Sequence, residues 1–213
     1  MPPPYRKADA AQAALVKKAR KRLDDEKRRL NIFGFDELNV LRETDALYEG
    51  LFQDVQAQYR ILYIERYLEV LAWLEKPKPS DDFLTELVEL WLIGFLKEPN
   101  ENTNYAFDSE FVRKRDRAKE AVNSVPTKAQ KQLQLEKAVR IALQQDSWYT
   151  DMASQDAELQ AHKDAGVKRV RWNIYGDDKV CAKCESMNGN VYDIDKVPKR
   201  PHLKCRCFLT KAD

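Results

Sequence analysis

Trp172–Cys207, WNIYGDDKVCAKCESMNGNVYDIDKVPKRPHLKCRC, holds all four cysteines of the 213-residue chain and one of its two histidines. Cys181, Cys184, His202, Cys205 and Cys207 crowd into this one stretch, whereas core cysteines scatter along a chain. Cys181-Ala-Lys-Cys184 has the C-x-x-C spacing at which one tight turn aims two thiolates at a single ion. His202-Leu-Lys-Cys205 repeats that chelating spacing, and Cys205-Arg-Cys207 adds a further thiol. A tetrahedral Zn²⁺ takes four ligands and five are on offer. The preferred set is Cys181, Cys184, His202 and Cys205; the rival is the set of four cysteines, and the spacing leaves both open. A small module with few apolar residues between its cysteines needs such a staple, because a structural zinc supplies folding energy outright. No Asp or Glu stands at a recognisable general-base spacing, so the reading is a closed structural site and not a catalytic one. Arg206, between two of the candidate ligands, would be held rigidly enough to anchor a carboxylate or phosphate.

Around the cysteines the pattern is one of short strands. Val167–Tyr175 alternates Val170, Trp172 and Ile174 with Arg169 and Arg171, the period of a half-buried strand. Asn188-Gly189 is a tight-turn dipeptide, followed by a second short strand over Asn190–Ile194. Gly176-Asp177-Asp178 reads as a turn.

Upstream the texture is helical. Residues 1–7 are expected to be a disordered Pro-rich tail, 8–145 a helical body and 146–213 a C-terminal module. A helix from Ala8 to Leu30 carries a thin apolar stripe of Leu15, Val16, Ala19, Leu23 and Leu30, and is expected to bury little. Gly34 stops it, and Asp36 or Thr44 caps the next. The longest helix is expected from Thr44 to Glu75, with Leu47, Leu51, Val55, Tyr59 and Leu62 on one face, and Tyr59, Tyr63, Tyr67 and Trp73 as core aromatics. Pro77 and Pro79 end it. Ser80 caps the following helix, which runs to Lys97, and this hairpin is expected to bury Trp73 and Trp91 in one core. Ser109 opens a basic helix ended by Pro126. Thr127 and Gln130 have capping-box spacing for a helix that reaches Gln145 and continues, bent at Asp146-Ser147, to Ala165. Gly166 is its stop signal, and His162 is read as a surface histidine. The fold class is therefore mainly α, a long helical hairpin body with a small α+β, zinc-stapled C-terminal module.

Charge is organised in blocks. Residues 6–30 carry ten Lys/Arg against four acids, 36–110 seventeen acids against six bases, and 111–140 nine bases against three acids. Such alternation suits charged neighbours. No leader-like apolar segment and no run long enough to span a bilayer is present, which places the chain in a reducing cytosol, where metal binding outweighs disulfides. No GxGxxG, P-loop or HExxH motif is found.

These residues resemble the C-terminal module of phage head-morphogenesis proteins of the Mu F-like minor head family. That pattern has a Trp-bearing strand, an Asp, a C-x-x-C, a Gly-containing turn and a closing H-P-x-C-R-C. Here it reads Trp172, Asp177 or Asp178, Cys181 and Cys184, Gly189, then His202-Leu-Lys-Cys205-Arg-Cys207. The resemblance covers about 145–208, with Leu203 where the family usually has proline. It implies a minor capsid protein and not an enzyme. Such a protein associates with the portal protein and other head proteins during assembly, in the host cytoplasm and then in the virion. The packaged DNA is a further contact, and neither a membrane nor a small-molecule substrate is implied. The alternatives are a nucleic-acid-binding zinc module, favoured by twelve bases against seven acids in 163–213, and a metal-dependent nuclease or deaminase. The second lacks a histidine partner beside the knuckles, and the deaminase signature is absent.

Overall fold

The structure is a computed structural model, and it describes residues 4–97, 106–144, 146–176, 180–201, 205 and 207–212. Among these, six helices come first: α1 (Pro4–Phe33), α2 (Glu37–Trp73), α3 (Asp81–Lys97), α4 (Phe107–Asn123), α5 (Lys128–Gln144) and α6 (Asp146–Asp164). A small α+β segment follows, with β1 (Arg169–Asn173), α7 (Ala182–Met187), β2 (Val191–Asp193), a 3₁₀ turn at Ile194–Lys196 and β3 (Phe208–Lys211). The mainly helical fold with a small C-terminal sheet is the one expected. No helix among the described residues is long and apolar enough to cross a membrane.

Local chemistry sets the helix ends. Gly34, at φ +103°, closes α1 by donating its N–H to Leu30 O at 3.0 Å. Asp36 then caps α2, its Oδ1 accepting the Asn39 N–H at 2.9 Å. Thr44 instead lies inside α2 and donates to Val40 O, so α2 begins seven residues before the expected Thr44. At 37 residues it spans about 55 Å. Ser80 Oγ accepts the Phe83 N–H at 3.2 Å, the cap read from the sequence. Thr127 and Gln130 form a reciprocal box, Gln130 N–H to Thr127 Oγ1 at 3.3 Å and Thr127 N–H to Gln130 Oε1 at 3.2 Å. α4 starts at Phe107, ahead of the expected Ser109, with no side-chain cap at Ala106. Gly166 ends α6 at φ +77°, its N–H on Lys163 O while Val167 N–H reaches His162 O.

The chain forms two compact units. One comprises residues 13–58 and 90–146. Its core is built by Leu15, Ala19, Leu23 and Leu30 of α1, Leu47, Leu51 and Val55 of α2, Phe107, Phe111 and Val122 of α4, and Leu135 and Val139 of α5. α1 was expected to bury little. The 4–4–3–4 spacing of its buried positions 15, 19, 23, 26 and 30 instead keeps one face continuously in the core. The sign blocks meet each other here: Arg22 pairs with Asp54, and Lys119 and Arg115 with Asp45, while Lys27 of one basic block pairs with Glu136, an acid of the other.

This unit also buries the carboxyls of Glu26 (6% exposed), Glu43 and Glu110. Arg29 Nη1 lies 3.3 Å from Glu26 and 3.7 Å from Glu43, and Arg42 is 2.9 Å from Glu43. Burial pushes Glu26 up to about 7 from its ordinary 4.5, and the adjacent Glu43 reinforces this. Glu43 is held lower, chiefly by the hydrogen bond from Glu26. Between pH 4.5 and 7 the native chain therefore keeps a proton on Glu26 that the unfolded chain has lost, so stability falls as pH rises through that window. Glu26→Gln removes this titration. Relative to the parent it should gain about 1–2 kcal/mol in urea unfolding between pH 5 and 8. The buried His162, whose pKa is lowered by burial, acts in the opposite sense but is common to both proteins and cancels. A gap that stays flat across this range rejects the assignment.

The other unit comprises residues 1–12, 59–89 and 147–213. Here α1 already runs from Pro4, ahead of the expected Ala8. α2 contributes Tyr59, Leu62, Tyr63, Tyr67 and Val70, all buried, and α6 is buried over most of its circumference between Tyr149 and Glu158. Trp73 is not buried as expected. It is 40% exposed on the last turn of α2, its ring 6.4 Å from that of His162, while Trp91 packs on Phe95 at 4.6 Å. The sheet has order β2-β1-β3, antiparallel throughout, with Val170 opposite Tyr192 and Trp172 opposite Leu209. β1 alternates as its sequence requires: Arg169 and Arg171 face solvent, Val170 and Trp172 the core.

Candidate metal centre

One face of β1 and the chain after α7 enclose a core of Val167, Val170, Trp172, Cys184, Cys205, Cys207 and Leu209. The Gly189 N–H donates to Trp172 O at 2.8 Å, and the Trp172 N–H to Asn190 O at 2.9 Å. The Asn188-Gly189 turn, with Gly189 at φ +81°, thereby fixes α7 against β1. Cys181 caps α7 by accepting the Cys184 N–H on its sulfur at 3.4 Å. That cap turns Cys184 inward from the first turn of the helix. On the opposite side β3 pairs with β1 over Phe208–Lys211, which anchors Cys207 directly before the strand.

Three sulfurs converge as a result. Those of Cys184, Cys205 and Cys207 all lie within 4.8 Å of one another, and all three residues are buried. Two thiolates on one tetrahedral Zn²⁺ stand about 3.8 Å apart for Zn–S bonds of about 2.3 Å, and the Cys184 and Cys205 sulfurs are 3.6 Å apart. All four cysteines are free thiols. This group of three could hold a metal ion. Cys181 is half-buried and outside the group, with its sulfur on the α7 cap. Cys207, omitted from the preferred ligand set, sits inside it. His202, Arg206, Asp177 and Asp178, all singled out in the sequence, lie outside the described residues.

Electrostatics leaves one of the three thiols ionised far more readily than the others. Cys205 is held lowest, at about 5, first by the hydrogen bond from Cys207 and then by the nearby Arg200 guanidinium. Burial pushes Cys184 up to about 12. Cys207 is raised because its proton is held against the Cys205 sulfur, and burial acts the same way. Three thiols this close share a single negative charge, and ionising the others takes a cation among them.

Beside the cysteines lies a polar assembly that the sequence reading did not find. Asp151, Gln155, Glu158 and His162, at spacings of four, three and four, form one buried stripe on α6. Glu158 is fully buried, and its carboxylate accepts from Arg66 Nη2 at 2.7 Å, Arg200 Nη2 at 3.2 Å and the Leu209 N–H at 3.0 Å. Gln155 accepts the Arg200 N–H at 2.8 Å and donates to Pro198 O at 2.9 Å, and Arg200 Nη1 reaches Asp151 O at 3.3 Å. His162 is not the surface histidine expected. It is fully buried, with Nδ1 2.8 Å from Glu158 O, a main-chain partner that lets a neutral imidazole be buried in a helix. The helical stripe is present in the sequence, but Met152, Ala153, Ala157 and Ala161 offered an equally good apolar face.

No family model matches the chain, and no curated protein or solved structure matches it either.

Proposed function

We propose that this chain is a phage minor capsid protein of head morphogenesis, non-enzymatic, whose C-terminal module is stapled by a structural zinc. The observation that carries the reading is the convergence of three buried thiols within 4.8 Å of one another, in the segment that resembles the Mu F-like module. Thiolate softness and tetrahedral spacing favour Zn²⁺ over harder divalent ions. Cys184, Cys205 and Cys207 would hold it, with the fourth place taken by Cys181 or His202. In this role the metal supplies rigidity, and the helices supply the surface that meets the portal and other head proteins. Lys17, Lys18, Arg20 and Lys21, exposed together on α1, are the surface offered to packaged DNA; duplex binding there should weaken steeply with salt, and salt-insensitive binding removes that part of the reading.

Protein purified under reducing conditions without chelator should carry one zinc per chain, and Cys184→Ser should lose it together with thiol protection in the module. Co-expressed with the portal and head proteins, the wild-type chain should co-purify with assembling heads. A metal-free wild-type protein discards the staple, and absence from both procapsids and particles discards the capsid role.

A further inference from the structure

We propose that Glu158 is the positioning residue of the cysteine cluster, and that the buried polar stripe of α6 preorganises the segment carrying Cys205 and Cys207 for the metal. This rests on the metal reading above and adds to it residues that coordinate nothing.

The segment's described residues 197–201, 205 and 207 belong to no helix or strand. α6 fixes it by hydrogen bonds instead. Gln155 holds the chain at both Pro198 and Arg200, accepting one main-chain N–H and donating to one main-chain carbonyl. One turn further along, Glu158 takes the Leu209 N–H, two residues past Cys207. The two cysteines are thus bracketed by main-chain contacts to a single rigid helix. Charge is arranged to match. Arg66 and Arg200 both contact the Glu158 carboxylate, and Arg66 also pairs with Glu69 at 2.7 Å. Arg200 therefore ties the same carboxylate to the loop ahead of Cys205. A metal with three or four thiolate ligands is net anionic, and a guanidinium held by Glu158 next to that loop is placed to offset it. A stripe of Asp151, Gln155 and Glu158 facing the core is costly to bury for stability alone, since apolar residues at the same positions would pack as well. Orientation of metal ligands is what such outer groups supply.

The test is Zn²⁺ affinity, measured by competition with a chromophoric chelator, on wild type, Glu158→Gln and Gln155→Ala, each first shown folded by circular dichroism. Co²⁺ is the second probe, read through its thiolate charge-transfer band. Glu158→Gln and Gln155→Ala should each weaken Zn²⁺ binding by about 10–100-fold and alter the Co²⁺ band, a change that loss of global stability does not produce in a folded protein. If both variants bind with wild-type affinity and give the wild-type band, the proposal is overturned while the metal site stands. If Glu158→Gln does not fold, Gln155→Ala, which changes no charge, decides alone on the same criterion. A wild-type protein that binds neither ion overturns the metal reading itself, and with it this one.

Discussion

Arg66→Ala is expected to destabilise the protein by about 3–5 kcal/mol, the cost of breaking a buried ion pair from one side. Arg66 is 1% exposed on α2, and its guanidinium lies 2.7 Å from Glu158 and 2.7 Å from Glu69. Removing it leaves the fully buried Glu158 with Arg200 and one main-chain N–H, and opens a cavity where a long side chain had been. Its Nε has no hydrogen-bond partner among the described residues, so the site already runs one bond short and has little slack. Lysine is no substitute, since one ammonium cannot serve two carboxylates in the geometry of a fork. Urea unfolding followed by tryptophan fluorescence reads the effect, because Trp73 and Trp172 both belong to this unit. A loss under about 1 kcal/mol would mean that Glu158 is satisfied without Arg66 and that the network is looser than its distances imply.

The second large effect is at Trp172. It is 1% exposed on the central strand, opposite Leu209, with its ring edge-on to Tyr192 at 6.4 Å and the three thiols in the same core. Trp172→Ala should cost about 3–5 kcal/mol, and it should also expose Cys184, Cys205 and Cys207 to thiol reagents. Trp172→Phe should recover most of this. The indole Nε1 has no hydrogen-bond partner among the described residues, so phenylalanine forfeits volume but no hydrogen bond. Timed reaction with a chromogenic disulfide separates the two variants. Equal thiol reactivity in both would show that the cysteines are not sheltered by this ring.

Local rules carried most of the fold. Ser80, Gly34, Gly166 and the Thr127–Gln130 pair each act through residues no more than four away, so the sequence exposes them directly. β1 was legible because Arg169, Arg171, Val170 and Trp172 alternate over a full strand. β3 was not, because four residues directly after a cysteine pair carry no period of their own. At the candidate site, the cysteines announce themselves by spacing. The Arg66–Glu158–Arg200 assembly does not, since its members stand 92 and 42 positions apart and each reads singly as a solvated charge. His162 misled for a different reason. What buries it is a main-chain carbonyl one turn back, and no side-chain pattern reports that.

The discontinuity of the unit that holds the cysteines has a consequence for the order in which the protein matures. Residues 59–89 emerge from the ribosome early, but their unit is completed only when 147–213 follow. The unit built from 13–58 and 90–146 has all its pieces sooner and is expected to close first. The long sequence separation in the remaining unit makes its closure the slow step. During that interval Arg66 and Tyr67 lack their α6 partners Glu158 and Asp164, and the thiols remain open to whatever reaches them first, an ion or an oxidant. On the proposed metal reading, metal supply during synthesis would then bear on yield.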